Sequence, residues 1–93
     1  MSLFSKSPLH TFNLNLDIHL NPFQIKAICK CILRKSPDAS INLHLLVSSL
    51  SEFEISKLRI INELLSDLKI RFQFITTDKN LFNILKAFNL NLK

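Results

Sequence analysis

The chain has 93 residues, no Gly, no Trp, no Tyr, eight Phe and a net charge of +5. Its length suits one domain and its 47% hydrophobic content suffices for a core. The missing Gly excludes a P-loop, a dinucleotide fingerprint and a glycine nucleophile elbow, which all need Gly where backbone turns sharply or meets a phosphate.

Residues 1–93 read as a single domain. Its N-terminal segment, 1–9, has room for a short antiparallel strand around 2–5, limited by Pro8. The first main strand spans 10–20. There Phe12, Leu14, Leu16, Ile18 and Leu20 alternate with Asn13, Asn15, Asp17 and His19, the period of a sheet with one buried face. Asn21-Pro22 then opens a helix: Asn21 caps, Pro22 fits the first helical position and Gln24 completes a capping box. Ile25, Ile28, Cys29 and Ile32 form its expected buried stripe, and it ends near Lys35 before Ser36-Pro37-Asp38.

A second strand spans 41–47, with Ile41, Leu43, Leu45 and Val47 on one face. Ser51-Glu52-Phe53-Glu54 is a capping box, and the helix it opens runs to Leu68 with Leu58, Ile61, Leu65 and Leu68 as its seam. Ile70, Phe72 and Phe74 alternate with Arg71 and Gln73 in a third strand. Thr77-Asp78 caps a last helix bearing Leu81, Ile84, Leu85 and Phe88. Strand–helix alternation predicts an α/β fold of successive βα units with a mostly parallel or mixed sheet. Strands covered on both faces read as continuous apolar runs, and these alternate, so the helices are expected mainly on one face. The other face, with Asn13, Asn15, Asp17, His19, Asn42, His44, Arg71 and Gln73, is either wet or a polar interface.

Little here points to catalysis. His10, His19 and His44 have no nucleophile motif or metal-ligand spacing beside them, and surface histidines on strands account for them. Glu52 and Glu54 stand where a helix start favours carboxylates. Cys29 and Cys31, about 200° apart around a helix, share neither a metal nor a disulfide. The reading is therefore no enzyme, no metal and no cofactor.

Two features suggest contacts. Lys26, Lys30 and Arg34 recur at helical spacing with Lys35 adjacent, a stripe that suits an anion or nucleic acid and equally suits a solvated face. The basic excess as a whole is spread out. Five cations face two carboxylates over 1–40, and seven face five over 41–93, unlike the concentrated charge of a nucleic-acid binder. The second feature is the start of the second helix, which offers Ser48, Ser49 and Ser51 at a site hospitable to anions, although capping alone explains Ser51. No apolar run reaches ~18 residues and no signal-peptide core is evident, while free thiols suit a reducing cytosol, so the expected location is cytoplasmic.

The element order over residues 41–91, and above all the terminal helix Asn80-Leu81-Phe82-Asn83-Ile84-Leu85-Lys86-Ala87-Phe88-Asn89-Leu90, resembles a STAS domain. This is the fold of anti-sigma-factor antagonists and of the small cytoplasmic subunit of bacterial lipid-transport ABC systems. In that family a strand leads into an Asp-Ser-Ser-Gly or Asp-Thr-Gly-Gly loop, and this chain departs from it by having no Gly. Aligning Ile55 with the Leu after the motif places Ser51 at its Asp and Glu52 at its phosphoacceptor; a slip of about three residues brings Ser51 or Ser56 there instead. The resemblance implies a non-catalytic module that docks a protein partner, such as an anti-sigma-factor-like regulator, a transporter subunit or another copy. Ser49, Ser51, Glu52, Phe53 and Lys57 would form the docking surface. The alternative is a small basic nucleic-acid-binding domain that uses Lys26, Lys30, Arg34 and Lys35.

Overall fold

The computed structural model describes residues 11–16, 21–47 and 49–92. In order they form β1 (Thr11–Leu16), α1 (Pro22–Lys35), β2 (Ser40–Leu45), α2 (Glu52–Asp67), β3 (Arg71–Ile75) and α3 (Lys79–Ala87). The strands make one parallel sheet in the order β1-β2-β3. A parallel neighbour requires the chain to cross back, and α1 and α2 provide the two crossovers and pack on each other. This is the α/β architecture of successive βα units that the sequence pattern predicts.

Register sorts the side chains by face. Leu14, Leu43 and Phe74 lie abreast, and inward residues of all three strands join Ile25, Cys29, Leu58, Ile61, Leu65, Leu81 and Leu85 in one core. The opposite face is polar and left uncovered by the helices. There Asn13, Asn42 and Gln73 lie abreast and form a rung of side-chain hydrogen bonds. Gln73 Nε2 donates to Asn42 Oδ1 at 2.9 Å, and Asn42 Nδ2 donates to Asn13 Oδ1 at 3.1 Å. His44 Nε2 lies 2.8 Å from the same Asn13 oxygen. An amide oxygen only accepts, so this bond places an imidazole proton on Nε2.

Both expected capping boxes form, at Asn21/Gln24 and Ser51/Glu54, and Asp78 caps α3. The helix ends are less ordinary, because the chain has no Gly to enter the left-handed region. Lys69 (φ 58°) and Asn89 (φ 60°) take that role. After α2, Lys69 N–H donates to the Ser66 carbonyl and Ile70 N–H to Leu65; after α3, Asn89 donates to Lys86 and Leu90 to Leu85. Each is a Schellman ending, sealed by the buried pairs Leu65/Ile70 and Leu85/Leu90. Asn tolerates this conformation, whereas Lys pays about 1–2 kcal/mol for its Cβ. Lys69→Gly should therefore raise the unfolding free energy by about 1 kcal/mol, read as a higher urea midpoint at unchanged slope. A lower midpoint would show that Lys69 is not strained.

Beyond α3 the chain runs parallel to β3 at Leu92, along the edge not paired with β2. Phe74 N–H donates to the Asn91 carbonyl at 2.8 Å, Asn91 N–H to Asn62 Oδ1 at 3.0 Å, and the Asn91 side-chain amide to the Phe72 carbonyl.

Some expectations change. The described part of the first strand is 11–16; His10, Asp17, Ile18, His19, Leu20 and the short strand at 2–5 lie outside the described residues. The second strand stops at Leu45, and Leu46 turns to solvent, so Val47 does not extend the inward face. Ile28, Leu68, Ile84 and Phe88, expected in helix seams, are exposed. Among the described residues, three helices on one face of three strands leave open flanks. A residue at the border of an apolar stripe is buried only where a neighbouring helix reaches it.

Candidate functional site

A parallel sheet sends every strand-to-helix loop to one end, the carboxyl end of its strands, where the chain is free to vary. At this end the α2 start is built on its cap. Ser51 N–H donates to Glu54 Oε1 at 2.8 Å and Ser51 Oγ accepts from Glu54 N–H at 3.3 Å. This box commits Ser51 and Glu54 to local structure and leaves Glu52 exposed in the first turn. Phe53 follows, 70% exposed, with the Lys57 ammonium 4.8 Å from its ring centroid. The pair sits one turn apart on the helix, so the cation screens part of the ring without burying it.

Of the five residues expected on this surface, Ser49, Ser51, Glu52 and Phe53 are exposed and Lys57 is half-buried. The structure joins Phe53 and Lys57 in direct contact. It also adds two residues that the periodicity passed over. Leu46, 70% exposed, leaves β2 at the same end, and Phe23 occupies the position in α1 that Phe53 occupies in α2 and is likewise exposed. An apolar residue on the polar phase of a strand was the available signal for Leu46. Ser48 lies outside the described residues.

A cleft of about 340 Å³ opens between the ends of β2 and β3, bordered by His44, Leu46, Val47, Ile75, Thr76 and Asp78. Its polar groups are occupied locally. Thr76 Oγ1 accepts from Asp78 N–H at 3.2 Å, Asp78 Oδ1 accepts from Leu81 N–H at 2.8 Å, and His44 is tied to Asn13. Among the described residues, no hydroxyl of the cleft is hydrogen-bonded to His44. Among the described residues, no three His, Cys, Asp or Glu side chains gather as metal ligands would.

Of the basic stripe, Lys30, Arg34 and Lys35 are exposed and Lys26 is half-buried. Lys30 and Arg34 share a groove, which lies at the other end of the sheet. Both cysteines are free thiols. Cys29 is buried, and burial pushes its thiol from 9.0 up to about 11, while Cys31 is exposed. No helix among the described residues is long and apolar enough to cross a membrane.

No protein-family model matches the chain, and no curated protein or solved structure matches it significantly.

Proposed function

We propose that this domain is a non-catalytic, STAS-like interaction module that captures a partner protein in the cytoplasm through the β2–α2 junction. The observation that carries this reading is Phe53, a large ring held in solvent at a helix start with a lysine stacked on it. Exposed aromatics flanked by charge are typical anchors of protein interfaces, where a ring fills a partner's pocket and the rim sets orientation. Leu46 adds a second apolar contact at the same end. The order β2, loop, α2, β3, α3 supports the STAS resemblance. On that alignment Glu52 supplies a fixed negative charge where the family carries its phosphoacceptor. The partner is an anti-sigma-factor-like regulator or a transporter subunit.

Affinity capture from native cell extract, followed by mass spectrometry, tests the proposal with the wild-type chain and the Glu52→Lys/Phe53→Ala variant. Both positions are exposed, so the main cost is the reversed charge at the helix start, about 1 kcal/mol, and the melting midpoint of the variant checks that it stays folded. The wild-type chain should retain a protein that the variant loses. Equal capture by both would overturn the assignment. Intact mass of the recovered chain reports whether it carries phosphate. Steeply salt-dependent binding of DNA or RNA that is lost in Lys30→Glu/Arg34→Glu would replace the proposal with the nucleic-acid reading.

A further inference from the structure

The opposite end of the sheet has a different chemistry. There the C-terminal ends of α1 and α2 meet the start of β3, and a groove of about 340 Å³ lies between Lys30, Leu33, Arg34, Leu68 and Ile70. Three of its five walls are aliphatic and two are cationic. Ile70 is buried beneath, Leu33 is half-buried, and Leu68 at the α2 C-cap is exposed. Lys30 and Arg34 stand one turn apart on α1 and are both exposed. Neither makes an ion pair with a carboxylate among the described residues.

Charge around the groove is lopsided. Over 30–38 and 67–71 the chain carries Lys30, Arg34, Lys35, Lys69 and Arg71 against Asp38 and Asp67. Complementing the helix dipole accounts for Arg34 and Lys35 in the last turn of α1. It does not account for Lys30, a turn earlier, nor for an aliphatic floor left open at a helix end. The groove is shallow and open at its rim, where Lys30, Arg34 and Leu68 are exposed, and it sets two cations beside an aliphatic floor.

We propose that this groove binds a free single-chain amphipathic anion, a fatty carboxylate, with its chain on Leu33, Leu68 and Ile70 and its head group between Lys30 and Arg34. Apolar floor and cationic rim match the two halves of such a ligand. A purely hydrophilic anion would leave the floor wet, and an uncharged chain would leave the cations without a partner.

The test is an NMR titration of the ¹⁵N-labelled full chain with decanoate below its micelle concentration, beside acetate and decyltrimethylammonium. Decanoate should shift the amides of residues 30–35 and 68–70, and the two controls should not. Lys30→Glu/Arg34→Glu, at exposed positions, should weaken decanoate binding by about tenfold or more, as loss of charge-assisted contacts implies. Shifts located elsewhere, an equal response to decyltrimethylammonium, or unchanged affinity in the variant would overturn the proposal. So would no response to decanoate, including the case in which anionic phospholipid vesicles bind, since that would make the surface a membrane contact and not a ligand groove.

Discussion

Phe74→Ala should lower the unfolding free energy by about 3–5 kcal/mol, the largest single loss expected from this core. The ring is fully buried on the central inward position of β3, abreast of Leu43 and Leu14. Phe72 meets it edge to face, with centroids 5.8 Å apart and planes at 87°. The backbone of Phe74 is also the anchor for the C-terminal segment, through its N–H to Asn91. The space left by the ring cannot close without moving β3 against both β2 and that segment, so most of the cavity should persist. Domains of this size hold a margin of only about 5–15 kcal/mol, so the variant should sit near the edge of folding. Urea denaturation of the variant beside Phe88→Ala gives the comparison, because Phe88 is exposed, with Arg59 over its ring at 5.6 Å. Phe88→Ala should cost less than about 1 kcal/mol. Equal midpoints for the two variants would remove Phe74 from the core.

Leu65→Ala should cost about 2–5 kcal/mol, while Leu68→Ala, three residues along the same expected seam, should cost less than about 1 kcal/mol. Leu65 is fully buried, and its carbonyl also accepts the Ile70 N–H that closes α2. Leu68 is 39% exposed at the C-cap, bordering the basic groove. Its methyls lose little contact when removed. Thermal melts of both single variants separate the cases, and equal losses would mean that the α2 seam continues through Leu68. Within the groove, Leu68→Ala should weaken decanoate binding even though it barely moves the melting midpoint.

Much of the fold was legible because its signals are local. Asn21, Ser51 and Asp78 cap their helices through hydrogen bonds to backbone two or three residues away, so a short stretch of sequence contains the whole interaction. The strands were legible by alternation, and Ile41, Leu43, Phe72 and Phe74 are indeed buried. The helix borders were not legible. Ile28, Leu68, Ile84 and Phe88 carry the same periodicity as buried neighbours, and only the reach of the next helix distinguishes them. The helix ends were also missed. With Gly absent, nothing in the residue types marks Lys69 as left-handed, and that conformation follows from the need of Ile70 to fall back onto Leu65.

The candidate sites divide the same way. The STAS resemblance implies a surface that includes Phe53 and Lys57, and the structure shows the two in contact. Leu46 and Phe23 lie at the same end because parallel strands bring every strand-to-helix loop there. The basic stripe sets four residues on one helix. Lys30 and Arg34 border a groove because Leu68 and Ile70, far away in sequence, complete it.

Residue types and close neighbours were enough for the α/β plan of successive βα units, the three caps, the inward strand faces and the exclusion of glycine-loop chemistry. The all-parallel pairing came from the structure. Tertiary structure decided which border residues stay exposed, which left-handed residues replace Gly, how Asn13, Asn42, Gln73 and His44 join across strands, and where apolar and cationic groups share a groove. Those outcomes depend on surfaces meeting across long chain separations, and periodicity along one segment carries no information about them.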